Sequence, residues 1–104
     1  MQYSVEISEL AEKQYDDILY YLANVKMNPQ AVKGVIEDFD YAIEKLENEA
    51  DIFGYCEDTR LRVLGFHKLH FKAHKYLFVY RVSDEKVIIE GMYHELQDYE
   101  NAIG

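Results

Sequence analysis

Polar and apolar residues alternate at the start of the chain and then change to helical spacing. Residues 3–7 have the period of a half-buried strand. Its inward side chains would be Tyr3, Val5 and Ile7. Ser8 follows where a helix N-cap is expected, and acids occupy the first turn after it. The next apolar residues recur every three or four positions: Ala11, Tyr15, Ile18 and Leu22. They predict a first helix that ends near Asn24.

The pair Asn28-Pro29 marks the start of a second helix. Asn is a good N-cap, and Pro at the first helical position gives up a backbone donor that would be unpaired anyway. An apolar stripe then extends over about five turns: Val32, Val35, Ile36, Phe39, Ile43 and Leu46. The acids Glu37, Asp38, Glu44 and Glu47 lie off the stripe and predict a solvated face. The short connection makes the two helices an antiparallel hairpin.

The second half of the chain changes to a period of two. Residues 48–59 lose periodicity and predict a loop. Three strands are expected at about 60–65, 75–82 and 86–93, with a tight hairpin at residues 83–85. Residues 97–103 form a short tail, helical or irregular. The element order β-α-α-β-β-β predicts a single α+β domain over residues 1–104, in which a helical hairpin packs on a mostly antiparallel sheet.

Charge is distributed unevenly along this acidic chain. The net charge is −9, and residues 1–50 carry eleven acids against four bases. Such a protein is a poor general nucleic-acid binder, because non-specific affinity comes from neutralising phosphates. The single cysteine, Cys56, excludes an internal disulfide and a site of several thiolates. With no apolar run long enough for a membrane span and no signal sequence, the sequence predicts a cytoplasmic protein.

Residues 60–82 form a basic run that contains no Asp or Glu. It holds six Lys or Arg residues and three of the four histidines. Strand alternation would turn Tyr76, Phe78, Tyr80 and Val82 toward the helices. The opposite, open face would then carry Arg62, Lys75, Arg81, Glu90 and His94, together with the apolar residues Leu77, Val79, Ile88 and Met92. Such a mixture favours a binding surface, although single residues of these types more often have a structural role.

The basic run suggests acid–base chemistry without a metal or cofactor. His67, His70 and His74 have a spacing that suits a metal site on a helix, but this region predicts strand and loop, so zinc is set aside. No Gly-rich phosphate loop, nucleophile elbow or His-Glu-x-x-His motif is present. A histidine can exchange a proton near neutral pH, and Arg or Lys can stabilise a phosphate transition state.

Six segments over nearly the whole chain share their order and spacing with a known family. They are residues 3–8, 17–22, 28–31, 65–69, 76–82 and 87–94, including Gly-Phe-His-Lys-Leu, Tyr-Leu-Phe-Val-Tyr-Arg-Val and Val-Ile-Ile-Glu-Gly-Met-Tyr-His. The succession resembles the RelE/ParE superfamily of type II toxin–antitoxin toxins. The resemblance implies the same β-α-α-β-β-β fold and a role in a plasmid-stabilisation or addiction module and in stress response. It also implies a cognate antitoxin as partner, and a homodimer or a toxin–antitoxin hetero-oligomer.

The resemblance also suggests which residues would act. His70 and His94 are similar to histidines that serve as acid or base in YafQ-type ribonucleases, with Arg62, Lys75 and Arg81 as charge-stabilising candidates. The chain departs from many relatives in two places. His67-Lys68 stands where they have a basic pair after the glycine, and acidic Glu95-Leu96-Gln97-Asp98 stands where they have two arginines.

Three activities follow from the resemblance. RelE-like members resemble ribosome-dependent ribonucleases, and the clustered histidines and cations make mRNA cleavage at the ribosome the first expectation. ParE-like members inhibit DNA gyrase without cleaving RNA, and the strand segments favour this alternative. The acidic net charge favours a third reading, a non-toxic member that only binds antitoxin.

Overall fold

The computed structural model describes residues 2–102, and it contains four strands and several helices in that range. The strands are β1 (Ser4–Ile7), β2 (His67–His70), β3 (Tyr76–Ser83) and β4 (Lys86–His94). The α-helices are α1 (Glu9–Tyr20), α2 (Pro29–Glu49), α3 (Thr59–Val63) and α4 (Tyr99–Ala102). A π-helical turn, Tyr21–Val25, prolongs α1, and a 3-10 turn, Ala50–Ile52, follows α2. The tail, predicted as helical or irregular, contains α4 from Tyr99 to Ala102, and Ile103 lies outside the described residues.

Both long helices begin at the residues that the sequence predicts. The Ser8 Oγ accepts a hydrogen bond from the Ala11 amide at 3.0 Å. The Asn28 side chain does the same for the Ala31 amide at 3.0 Å, with Pro29 in the first turn. Each cap satisfies one of the free amides at a helix N-terminus. The predicted helical hairpin is therefore confirmed.

The four strands form one mixed sheet in the order β1-β4-β3-β2. The pairs β2–β3 and β3–β4 are antiparallel, whereas β1 runs parallel to β4. The parallel pair arises because the α1–α2 hairpin carries the chain across one face before it returns to the sheet. The predicted α+β class is confirmed, and the hairpin Asp84-Glu85 joins β3 to β4 as expected.

Both faces of the central strand β3 are buried. Phe78 and Tyr80 belong to a cluster with the helical hairpin, as predicted. Leu77 and Val79 belong to a second cluster on the opposite face, and each is at most 1% exposed. The other buried members of that cluster are Cys56, Leu61, Phe66 and Tyr93. The prediction that Leu77 and Val79 lie on an open face was wrong, because the segment that contains α3 covers them.

The predicted strand at residues 60–65 was wrong, since this stretch contains α3. The Asp58 side chain caps the helix by accepting a hydrogen bond from the Leu61 amide at 3.1 Å. Leu61 is buried and Val63 is 78% exposed, so the two do not share an inward face. A helix of five residues is too short to show its own period. Gly65, with φ of 86°, then turns the chain into β2.

A β-bulge changes which side chains of β4 face the helices. Val79 pairs with Gly91 but Tyr80 pairs with Ile89, so Glu90 has no partner on β3. An extra residue in one strand reverses the alternation beyond it. Met92 consequently packs in the helix-side cluster, and the prediction that Met92 and His94 share the open face with Glu90 was wrong.

Candidate functional site

Four polar residues lie at the end of the sheet where β2 and β4 end and β3 begins. His70 ends β2 and pairs with Leu77, while His94 ends β4 and pairs with Tyr76. The Glu95 amide donates a hydrogen bond to the Lys75 carbonyl at 2.9 Å and keeps the chain beside β3. The pairing of the strands therefore places His70, Lys75, His94 and Glu95 along one end of the sheet.

His70 and Glu95 form a half-exposed pair at this end. The His70 Nδ1 lies 3.0 Å from the Glu95 Oε1, and the two side chains are 49% and 37% exposed. A carboxylate at this distance orients the imidazole ring. Sequence reasoning recorded Glu95 only as a departure from relatives, because its partner is 25 residues away.

His94 is oriented by its own neighbours. Its ring stands edge-to-face on Tyr76 with ring centroids 5.3 Å apart. Its Nδ1 accepts a hydrogen bond from the Leu96 amide at 3.1 Å. An accepting Nδ1 carries no proton, so the neutral ring holds its proton on Nε2. The His94 backbone amide also donates a hydrogen bond to the side-chain oxygen of Gln97 at 2.9 Å. The ring is thus held in one tautomer and one orientation.

The two histidines lie on opposite faces of the sheet. Residues directly paired across strands point to the same face. His70 therefore shares the face of Leu77, whereas His94 shares the face of Tyr76, and Leu77 and Tyr76 point in opposite directions. An acid and a base that act on one phosphate must both reach it within hydrogen-bond distance. The structure does not bring these two rings onto one face.

The predicted arginines lie elsewhere and have structural contacts. Arg81 is six residues from Lys75 along β3, which is about 20 Å of strand. Its Nη2 lies 3.5 Å from the Glu90 Oε1, and its guanidinium covers the Phe66 ring at 5.4 Å. Arg62, on α3, donates from Nε to the Cys56 carbonyl at 3.3 Å. Of the five predicted site residues, only His70, Lys75 and His94 share one end of the sheet.

A buried carboxylate holds the loop between β2 and β3. The Asp38 Oδ2 accepts from the Ala73 amide at 2.9 Å and lies 2.8 Å from the His74 Nδ1. Burial raises the pKa of Asp38, but these hydrogen bonds lower it more, and the net pKa is below its usual value. The predicted solvated position of Asp38 was wrong. The sequence contains no local sign of this contact, because Ala73 and His74 lie 35 and 36 residues from Asp38.

A cleft opens between α2 and the end of β2. It has a volume of about 270 Å³, and its lining includes Tyr41, Ala42, Lys45, Phe53, Leu69 and Lys72. The ammonium groups of Lys45 and Lys72 lie 5.5 and 4.9 Å from the centre of the Tyr41 ring. Two cations over one aromatic ring give the cleft a positive border. Sequence reasoning did not identify the cleft, since its walls come from distant segments.

Two further classes of site can be assessed within residues 2–102. No group of three or more His, Cys, Asp or Glu side chains in that range is arranged to hold a metal ion. Over the same residues, no helix has the length and apolar character needed to cross a membrane.

Comparisons with known proteins agree on the fold. A family model described as the ParE toxin of the type II toxin–antitoxin system parDE matches residues 5–99. A chain in the solved structure of a chromosomal ParDE TA system from P. aeruginosa has a TM-score of 0.73, with 16% identity over 89% of this chain and 96% of that chain. No curated protein sequence gives a significant match.

Two other solved structures share the fold at lower scores. The RelBE2 toxin–antitoxin complex from Mycobacterium tuberculosis has a TM-score of 0.57 and 18% identity, covering 90% of this chain and 99% of that chain. The DinJ–YafQ complex from E. coli has a TM-score of 0.58 and 14% identity, with complete coverage of both chains. At these identities the likeness concerns the fold.

Proposed function

The chain belongs to the ParE toxin family of type II toxin–antitoxin systems, and on that basis we propose that it arrests growth by binding its target and not by cutting RNA. The observation that carries this proposal is the placement of His70 and His94 on opposite faces of the sheet. The engaged side chains of Arg62 and Arg81 also favour it. DNA gyrase is the target that the ParE-like strand segments suggest.

Cleavage of mRNA at the ribosome is the second candidate. The His70–Glu95 pair favours it, because an exposed imidazole beside a carboxylate can accept a proton from a ribose hydroxyl. In this mechanism Lys75 would stabilise the phosphate from the same end of the sheet. Antitoxin binding without toxicity is the third candidate, and the net charge of −9 favours it.

We further propose a cognate antitoxin as the partner. The structures that share the fold are a ParDE toxin–antitoxin system and two toxin–antitoxin complexes, RelBE2 and DinJ–YafQ. Such a partner would be encoded beside the toxin and would fold along its surface on binding. Co-expression with the small adjacent reading frame, followed by co-purification, tests this proposal.

Tightly controlled expression in a bacterial host distinguishes the three activities. The proposed function predicts growth arrest, relaxation of a reporter plasmid and intact reporter transcripts. Purified protein should inhibit supercoiling by gyrase at micromolar concentration. His70→Ala should keep the toxicity, because its imidazole has no chemical role in a binding inhibitor.

A matched control removes an exposed cation on α2, Lys33→Ala. Transcript cleavage that disappears in His70→Ala but persists in Lys33→Ala, with unchanged plasmid topology, would replace the proposal by mRNA cleavage. Normal growth of cells that express the wild type without any antitoxin would instead support the third candidate, antitoxin binding without toxicity.

A further inference from the structure

The floor of the cleft between α2 and β2 is apolar. Ala42 is buried, and Phe53 and Leu69 are partly buried members of the helix-side core. The volume of about 270 Å³ is just below the range of roughly 300–1,000 Å³ that is typical of small-molecule pockets. The cleft is therefore large enough for one inserted apolar side chain.

The strand beside the cleft has an open edge. β2 is the last strand of the sheet, and the first part of its outer edge is covered, since the Lys68 amide donates to the Gly54 carbonyl at 3.2 Å. Outward backbone groups alternate along an antiparallel strand. The Lys68 carbonyl and the His70 amide thus point to the same outer edge, and neither has a backbone partner within residues 2–102.

The charges around the cleft favour an acidic ligand. Lys72 is exposed and makes no ion pair within the described part of the chain. Lys45 pairs only with Glu49, and both side chains are about 40% exposed, so the pair is weak. Asp38 also lines the cleft, but its Oδ2 is engaged by Ala73 and His74, and its single charge is outnumbered by the two lysines. An available positive border thus occurs on a protein of net charge −9.

We propose that this cleft and the adjoining edge of β2 bind an extended acidic peptide segment with one aliphatic side chain in the cleft. The peptide backbone pairs with the Lys68 carbonyl and the His70 amide as an added strand. Alternate side chains of an added strand point to the helix side, where the cleft lies. Flanking carboxylates meet Lys45 and Lys72. This inference goes beyond the proposed function, since it names a ligand chemistry for whichever target the toxin has.

The probe is a fluorescein-labelled peptide of sequence Asp-Glu-Leu-Asp-Glu with blocked ends, titrated with the purified chain at low salt and followed by anisotropy. Replacing the leucine of the peptide by alanine should weaken binding by about thirtyfold, the loss expected for a buried isobutyl group. Replacing its acids by Asn and Gln should also weaken binding. Amide shifts in NMR spectra should centre on Leu69 and His70.

Matched charge reversals on the protein localise the site. Lys72→Glu should weaken binding by about tenfold, whereas Lys33→Glu, an exposed position on the same helix as Lys45, should change it less than twofold. Both positions are exposed, so both variants should fold. Equal effects of the two reversals, no binding at millimolar peptide, or equal binding of the alanine peptide would overturn the proposal. If single-stranded RNA displaces the labelled peptide and this displacement requires Lys72, the ligand of the cleft is a nucleic acid and the peptide proposal is overturned.

Discussion

Asp38 links a long helix to a distant loop through a carboxylate with a depressed pKa. Its contribution to stability is fully present above the unfolded-state pKa, near 3.8, and is lost as the pH falls toward the lower folded-state pKa. Asp38→Asn should therefore reduce the free energy of unfolding at pH 7 by about 1.5–3 kcal/mol, the range for hydrogen bonds to charged groups. Urea denaturation at pH 7 and at pH 3 measures the effect.

The matched control is Asp40→Asn, an exposed acid on the same helix. It should change the free energy of unfolding by less than about 0.5 kcal/mol. The difference between wild type and Asp38→Asn should narrow at low pH. A difference that is the same at both pH values would show that the stabilisation does not come from the ionised carboxylate.

The reactivity of Cys56 can be used to measure local opening of the buried cluster between α3 and the sheet. Its thiol is inaccessible, and burial raises its pKa, so reaction with a thiol reagent requires local opening. Leu61→Ala removes a buried neighbour, which should cost about 2–5 kcal/mol and accelerate labelling of the folded protein. Val63→Ala is the control on the same helix, because Val63 is 78% exposed. Equal labelling rates in the two variants would mean that α3 does not protect the thiol.

Ser8 connects α1 to the β4 bulge as well as capping the helix. Its hydroxyl donates to the Glu90 carbonyl at 3.0 Å, and the Met92 amide donates to the Gln14 side chain at 2.8 Å. These bonds give partners on α1 and its cap to two backbone groups of β4 next to the bulge, beyond the end of β1. Ser8→Ala should cost about 2 kcal/mol, against about 1 kcal/mol for Asn28→Ala, which loses only a cap.

Thermal unfolding of the two cap variants gives the comparison directly. Both substitutions remove one N-cap hydrogen bond, so their difference isolates the bond to the bulge. Equal losses of stability would indicate that the hydrogen bond from Ser8 to the Glu90 carbonyl adds nothing to the stability of the fold.

At the scale of elements, sequence patterns predicted what is periodic and missed what is short or irregular. The two long helices show several turns of one apolar stripe, and β3 and β4 show clear alternation, so their positions are confirmed. α3 has only five residues, and its Leu61 and Val63 mimic a strand. The bulge at Glu90 decides the face of His94, and Gly91 was its sign in the sequence, since an isolated glycine in a strand often accompanies a bulge.

At the scale of the whole molecule, the missing information was which distant segments touch. The fold class followed from the order of elements and from a family resemblance. The parallel pairing of β1 with β4, the Asp38–His74 contact and the His70–Glu95 pair join segments 25 or more residues apart. A single sequence carries no local signal for such contacts, so the site could be predicted only as a list of residue types.

The charge of the whole molecule gives a prediction that is independent of the target. Non-specific affinity for DNA depends on the number of phosphates that the protein neutralises, and this chain has a net charge of −9. Its dissociation constant for a random 20-base-pair duplex at 150 mM salt should be weaker than about 100 μM. Electrophoretic mobility shift measures it, with Lys72→Glu as a control for local cations. Micromolar binding would reveal a basic surface large enough to overcome the net charge.

The contact between Gly34 and His74 constrains how related chains can diverge. A Cβ at position 34 would lie 2.5 Å from the His74 Cε1, so any side chain there requires the ring to move away from Asp38. The two positions should therefore vary together. Relatives that keep a histidine at position 74 should retain glycine at position 34, and relatives with a larger residue at 34 should have lost the imidazole.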